Sequence, residues 1–143
     1  MMNTTTQETG LQRHITARAA EFSGQFGMFA RNLETGAEIG VNADAVMPTA
    51  SVIKVAVLAE LYRQVAAGTV SLDERREVTP DDWWGGSGVL KEFAPGLTPT
   101  VNDLARMMII VSDNVATGML VRLLGEDAIN QSLRKWGLAK MTL

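Results

Sequence analysis

Ser51-Val52-Ile53-Lys54-Val55-Ala56-Val57-Leu58-Ala59-Glu60-Leu61-Tyr62-Arg63-Gln64-Val65-Ala66-Ala67-Gly68 is the stretch on which the reading of this 143-residue chain turns. Almost every position between 52 and 67 is apolar, and Gly68 is a natural helix stop. A helix that is apolar nearly all round belongs in the middle of a protein. Ser51 and Lys54 form an S-x-x-K pair, which places the lysine one turn beyond the serine on the same face. Pro48 and Thr49 precede the pair, so Ser51 falls near the helix N-terminus, where free backbone N–H groups favour a developing oxyanion. Burial and the positive end of the helix dipole lower a lysine's pKa, and a neutral Lys54 is able to take the Ser51 proton without a histidine.

The pair alone is a weak signal, since S-x-x-K arises by chance roughly once in every couple of chains this long. Ser132-Leu133-Arg134-Lys135 is such a decoy, and it reads as a solvated helix face. The plain alternative for Ser51 is an N-cap serine followed by a snorkelling lysine. Against it stands the setting of Lys54, because an amine in an apolar helix needs a partner or a job.

Working outward, residues 1–10 read as a polar, disordered tail. Leu11, Ile15, Ala19 and Phe22 share one face of a helix over about 11–24. Two strand-like runs, Phe26 to Leu33 and Ala37 to Val41, flank Glu34-Thr35-Gly36 and suggest a hairpin. Residues 69–100 read mostly as loop. Thr100 with Asp103 resembles a capping box opening a helix whose buried stripe is Val101, Leu104, Ala105, Met108 and Val111. Ser112-Asp113-Asn114 breaks that pattern, and two further helices end at Gly125 and Gly137. With so few elements to cover it, the central helix looks short of neighbours.

Composition narrows the function classes. Formal net charge is -3 with no basic run, which argues against nucleic acid as a partner. There is no cysteine, so a Cys nucleophile and thiolate zinc sites are excluded. The one histidine, His14, precludes a multi-histidine metal site and reads as a surface residue. Asp81, Asp82, Glu126 and Asp127 lack metal-ligand spacing, and solvated loops and helix N-termini explain them. No metal or organic cofactor is expected. No apolar run is long enough for a signal-peptide core or a membrane span, so the chain as written carries no export address and reads as cytoplasmic. Trp83 and Trp84 beside Gly85-Gly86-Ser87-Gly88 are either an aromatic rim to a cleft or a loop packed on the core.

Ser112-Asp113-Asn114 is much rarer by chance than S-x-x-K, and the two motifs in this order, each at a helix junction, are hard to explain as accident. On these residues the chain resembles the serine β-lactamase and penicillin-binding-protein superfamily, class A β-lactamases most of all. Residues 26–42, Ala50 to Lys54, Gly86 to Leu90 and Leu104 to Leu124 all resemble family segments. The resemblance implies an α+β, β-lactamase/transpeptidase-like fold with an N-terminal helix, a β-hairpin and then a mostly helical subdomain. It implies that 11–143 is a partial catalytic domain lacking the C-terminal strands and final helix, and a monomer when full length. It implies Ser51 as nucleophile, Lys54 as its activator and Ser112 as a proton relay. Asn114, Trp84 and Ser87 would meet the substrate, and Asp113 would orient the turn. The implied activity is β-lactam hydrolysis through an acyl-enzyme, the small-molecule substrate being the partner. The family is usually periplasmic or secreted. A penicillin-binding DD-peptidase or esterase relative, or a fragment that only binds, are the alternatives. No Lys-Thr-Gly occurs, no counterpart of the class A deacylating glutamate is found, and Gly118 stands where the family commonly has asparagine.

Overall fold

The computed structural model describes residues 10–83 and 85–143. Of the expected N-terminal tail only Gly10 is among them, and Trp84 lies outside the described residues. The chain forms two compact units, Met1–Pro48 and Thr49–Leu143.

The first unit holds helix α1 (Gly10–Ala20) and strands β1 (Met28–Arg31) and β2 (Glu38–Val41), paired antiparallel with Met28 opposite Val41 and Arg31 opposite Glu38. The turn is built as the sequence suggested. The Asn32 side chain accepts from the backbone N–H of Glu34 and Thr35, and Gly36 takes φ +71°, which a side chain would resist. Gln12 on α1 uses both ends of its amide on the Gly40 backbone, tying the helix to β2. His14 is exposed, as expected.

The second unit is helical. A 3-10 turn at Ala50–Val52 leads into α2 (Ile53–Ala66), and α3 (Val101–Ile110), α4 (Asn114–Leu124) and α5 (Glu126–Lys135) follow. Each boundary has a chemical cause. Gly68 ends α2 at φ +73°. Thr100 and Asp103 make a reciprocal capping box for α3, and the Asp113 side chain caps α4 by accepting from Ala116 N. Glu126 and Asp127 sit in the first turn of α5, where the dipole favours them. The segment read as loop contains one ordered ribbon: residues 72–78 run beside 97–102, with Arg76 N–H on Pro99 O, Val78 N–H on Leu97 O and Val101 N–H on Glu74 O.

Val57 and Leu61 from α2, Leu104 and Met108 from α3, Leu120 from α4, and Ile129 and Leu133 from α5 are fully buried together and form the core. The central helix is short of neighbours, as its apolar pattern and the few remaining elements suggest. One side faces that core, but Val52, Val55 and Tyr62 are 64 %, 62 % and 49 % exposed, and with Ala59 they line a stripe along the other side. The apolar periodicity of α2 therefore encodes two faces, of which α3, α4 and α5 occupy one.

Two sequence readings of polar residues are overturned. Ser132 is not on a solvated face: it is buried, and its hydroxyl donates to Glu60 Oε2 at 2.6 Å. Asp82 is not a solvated acid. It is buried, takes hydrogen bonds from Thr79 N and Oγ1 at 2.8 Å each, and pairs with Arg122 at 2.7 Å. Burial pushes its carboxyl up, but Thr79 and Arg122 together hold it below the usual carboxylate range. Ser132 meets a partner distant in sequence, whereas Asp82 is held first by Thr79, three residues before it in a capping box, and then by Arg122 from α4.

Glu60 is the polar anchor between α2 and α5. Arg63 grips it with two N–H groups at 2.7 Å, Gln64 donates at 2.8 Å, and Gln64 also donates to the last carbonyl of α4 at Leu124. These hydrogen bonds, Arg63 first, outweigh burial and hold the Glu60 carboxyl at about 2, against 4.5 for the free group. A depressed folded pKa stabilises above the unfolded value, and the contribution is lost as pH falls from about 4.5 towards 2. Arg63 is half-exposed, so solvent screening reduces the effect. Glu60→Gln in the intact protein is expected to cost about 2 kcal/mol at neutral pH and to flatten the acid limb of stability. Urea unfolding at several pH values reads both, and parallel pH slopes for the two proteins would refute the assignment.

Candidate active site

The two halves of the site reach each other because α2 packs on the α3–α4 corner. Ser51 lies in the 3-10 turn before α2, Lys54 in the first turn of α2, and Ser112-Asp113-Asn114 makes the corner. Lys54 is 5 % exposed. Its Nζ donates to Ser112 O at 2.7 Å, Ser112 Oγ at 2.8 Å and Asn114 Oδ1 at 2.8 Å. Ser112 Oγ in turn donates to Ser51 Oγ at 3.0 Å. Serine hydroxyl, serine hydroxyl and amine thus form one hydrogen-bonded chain across 61 residues of sequence. Ser51 itself is exposed, open to an incoming molecule.

The electrostatics follow from this packing. Burial lowers the Lys54 pKa from its ordinary value, and the nearby Asp113 charge pulls it part of the way back. Ala50 and Ser112 both hold left-handed backbones, at φ +44° and +54°. For a residue with a side chain this costs on the order of 1 kcal/mol or more and persists only where the surroundings enforce it. At Ser112 the enforcement is visible, because Lys54 grips both its carbonyl and its hydroxyl.

Asp113 points away from the reacting groups. It is fully buried and accepts from Val89 N at 2.6 Å, Leu90 N at 2.9 Å and Ala116 N at 3.0 Å. Asp113→Ala strands three backbone donors in the interior and is expected to cost at least about 3 kcal/mol, with Asp113→Asn intermediate. Chemical denaturation checks this, and an alanine variant as stable as wild type would contradict it.

Ser87 is placed beside the corner: its carbonyl accepts from Asn114 N at 2.9 Å, while its side chain is exposed. Trp83 is exposed. Sequence reasoning missed two contacts. The Asn114 oxygen is committed to Lys54, and the Asn114 Nδ2 donates to Gly85 O at 2.9 Å. The signal available was the glycine run 85–88, whose reason becomes clear only in space. Gly118, where the resemblance led to expecting asparagine, lies on α4 one turn beyond Asn114.

Sequence and fold are both similar to those of known proteins. The sequence profile of the β-lactamase enzyme family matches residues 10–143. The β-lactamase regulatory protein BlaB of Streptomyces cacaoi is 30 % identical over 114 residues, covering 79 % of this chain and 36 % of BlaB. Among solved structures, PBP-A superposes with a TM-score of 0.88 at 33 % identity, covering 94 % of this chain and 52 % of PBP-A. A β-lactamase from Sphaerobacter thermophilus superposes with a TM-score of 0.86 at 32 % identity, covering 92 % and 50 %. The chain belongs to the β-lactamase enzyme family, and its fold is the helix-rich part, with a two-stranded sheet, of a β-lactamase/transpeptidase-like fold. It spans well under half the length of BlaB and about half that of the solved neighbours.

Proposed function

We propose that this chain carries the acylation machinery of a serine hydrolase acting on β-lactams. The observation that carries the reading is the Ser51–Ser112–Lys54 chain, with a buried amine at its inner end and an exposed hydroxyl at its outer end. Ser51 Oγ attacks the lactam carbonyl carbon. Its proton passes to Ser112 Oγ as the Ser112 proton passes to neutral Lys54 Nζ. The resulting ammonium returns a proton through Ser112 to the lactam nitrogen as the C–N bond breaks, leaving an ester on Ser51. The Ser51 backbone N–H supplies one oxyanion donor, and such a donor is typically worth ~2.7–4 kcal/mol of barrier. Asn114 and Ser87 face the substrate side chain.

Residues 11–143 are, in this reading, the N-terminal part of the catalytic domain, and the exposed stripe of α2 is the face against which the family's remaining strands and final helix pack. The half-length match to the solved neighbours and the apolar character of that stripe both support it.

A second reading has a specific observation in its favour. Gly118 offers no side-chain hydrogen bond where β-lactamases commonly brace the deacylating loop, which favours a penicillin-binding relative that acylates and releases slowly. A solved PBP-A variant is an acyl-enzyme complex with penicillin G. Incubating the intact protein with penicillin and following its mass over time separates the readings. A transient adduct supports the hydrolase, and a persistent adduct supports the penicillin-binding relative. The absence of any adduct rejects both and leaves a binding module.

A further inference from the structure

The segment Gly85–Leu90 is tied to the α3–α4 corner by four hydrogen bonds. Gly85 O accepts from Asn114 Nδ2, Ser87 O accepts from Asn114 N, and Val89 and Leu90 N–H donate to Asp113 Oδ2. Lys91 Nζ holds Gly86 O at 2.8 Å. Two glycines permit this approach. Gly86 sits at φ +93°, and a Cβ there would lie 2.6 Å from Asn114 Nδ2. Gly88 sits at φ +124°, and a Cβ there would lie 2.4 Å from Asp113 Cγ and 2.8 Å from its Cα.

A primary amide is asymmetric, with donors on one arm and an acceptor on the other. Asn114 has a carbonyl on one side, Gly85 O, and a cluster of donors on the other, Lys54 Nζ. Turned over, the amide would set oxygen against oxygen and nitrogen against ammonium, losing both bonds. The Gly85 carbonyl and Lys54 together fix which end of Asn114 meets Lys54. We infer that Gly86 is a positioning residue for the Ser51 chemistry: the missing side chain lets the 85–88 strap close on Asn114, so that the amide oxygen faces Lys54. The reaction it serves is the one proposed above, while the strap's effect on Asn114 and Lys54 stands on geometry alone.

Asp113 is the charged group whose field reaches Lys54. Glu60 on α2 is turned to Arg63, Gln64 and Ser132, and Lys91 to Gly86 O. Asp103 on α3 is turned to Thr100, and Arg122 on α4 to Asp82. Arg106 on α3 and Glu126, Asp127, Arg134 and Lys135 on α5 are exposed. Withdrawing the Asn114 acceptor therefore leaves burial less opposed at Lys54, and its titration moves down.

Gly96 provides the control. Its φ of +95° matches Gly86, yet a Cβ there would meet nothing within 4 Å. Gly86→Ala and Gly96→Ala in the intact protein thus impose similar backbone strain, and only the first displaces Asn114. By NMR, Gly86→Ala is expected to shift the Asn114 side-chain amide signal and to lower the Lys54 titration midpoint, with Gly96→Ala leaving both in place. Labelling by a fluorescent penicillin is expected to slow ~10–100-fold in Gly86→Ala and to stay within about twofold in Gly96→Ala. If both variants or neither move the NMR signals, the inference is overturned. If the wild type takes no label, the proposed hydrolase falls and the NMR comparison still decides the strap. Should Gly86→Ala not fold, Lys91→Met loosens the strap without adding an atom to it, and unchanged Asn114 and Lys54 signals in that variant overturn the inference equally.

Discussion

Ser51→Ala is expected to erase the covalent adduct with labelled penicillin while leaving the protein folded. The Ser51 residue is exposed, and among the described residues its hydroxyl takes a hydrogen bond from Ser112 Oγ at 3.0 Å, a donor that water satisfies equally well. Alanine is a good helix former at the entry to α2, so the stability change is expected within about 0.5 kcal/mol. The chemical loss is of another order. A nucleophile that forms the covalent intermediate has no substitute, and removing one typically costs roughly four to six orders of magnitude in rate. Gel fluorescence after incubation with the label reads the adduct, and a melting curve reads the fold. Undiminished labelling of a folded Ser51→Ala protein, or label found on Ser112, would remove Ser51 as nucleophile.

How far the sequence reaches here depends on the range of the interactions involved. The hairpin, the capping box at Thr100 and the stops at Gly68 and Gly125 are local, and local chemistry announces them: a nearby side chain satisfies the backbone groups at the turn and the cap, and a glycine takes the positive φ that ends each helix. The burial of Ser132 is not local, since Glu60 waits 72 residues away and nothing near Ser132 in sequence announces it. Asp82 is held partly by a local capping box with Thr79, which the spacing Thr79-Pro80-Asp81-Asp82 carries, and partly by Arg122, which reaches it from α4. The site divides the same way. Ser51 and Lys54 share a face through helical spacing alone, but their meeting with Ser112 needs the packing of α2 on the α3–α4 corner. What made the meeting foreseeable was the resemblance carried by the two motifs together. The glycines of 85–88 mark the limit: their flexibility is legible, but the collision each avoids becomes visible only once Asp113 and Asn114 are in place. The stripe of α2 is legible for a different reason: apolar periodicity states which faces want covering, and the count of remaining elements is too small to cover them all.

Lys54→Met is expected to slow acylation by about 10²–10⁴-fold and to remove its pH dependence. Methionine matches the length of the buried stem but leaves three acceptors without their donor, so a stability loss of about 3 kcal/mol accompanies the kinetic one and a melting curve establishes that the variant is folded in the assay. The kinetic argument turns on hydrogen-bond direction. With three acceptors around it, Lys54 Nζ sits as an ammonium donating to Ser112 O, Ser112 Oγ and Asn114 Oδ1. An ammonium has no lone pair and is unable to take a proton. Once neutral, the amine accepts from Ser112 Oγ over the same 2.8 Å, Ser112 becomes an acceptor for Ser51 over the same 3.0 Å, and the chain runs in the direction that activates the nucleophile. Acylation therefore follows the neutral fraction of Lys54. Burial moves that titration below 10.5, so the rate is expected to rise with pH through a midpoint lower than that of an exposed lysine and then to level. Stopped-flow acylation of the intact protein over a wide pH range tests this. A wild-type rate that does not change across the Lys54 titration, or a Lys54→Met variant that acylates at the wild-type rate, would take the amine out of the chemistry.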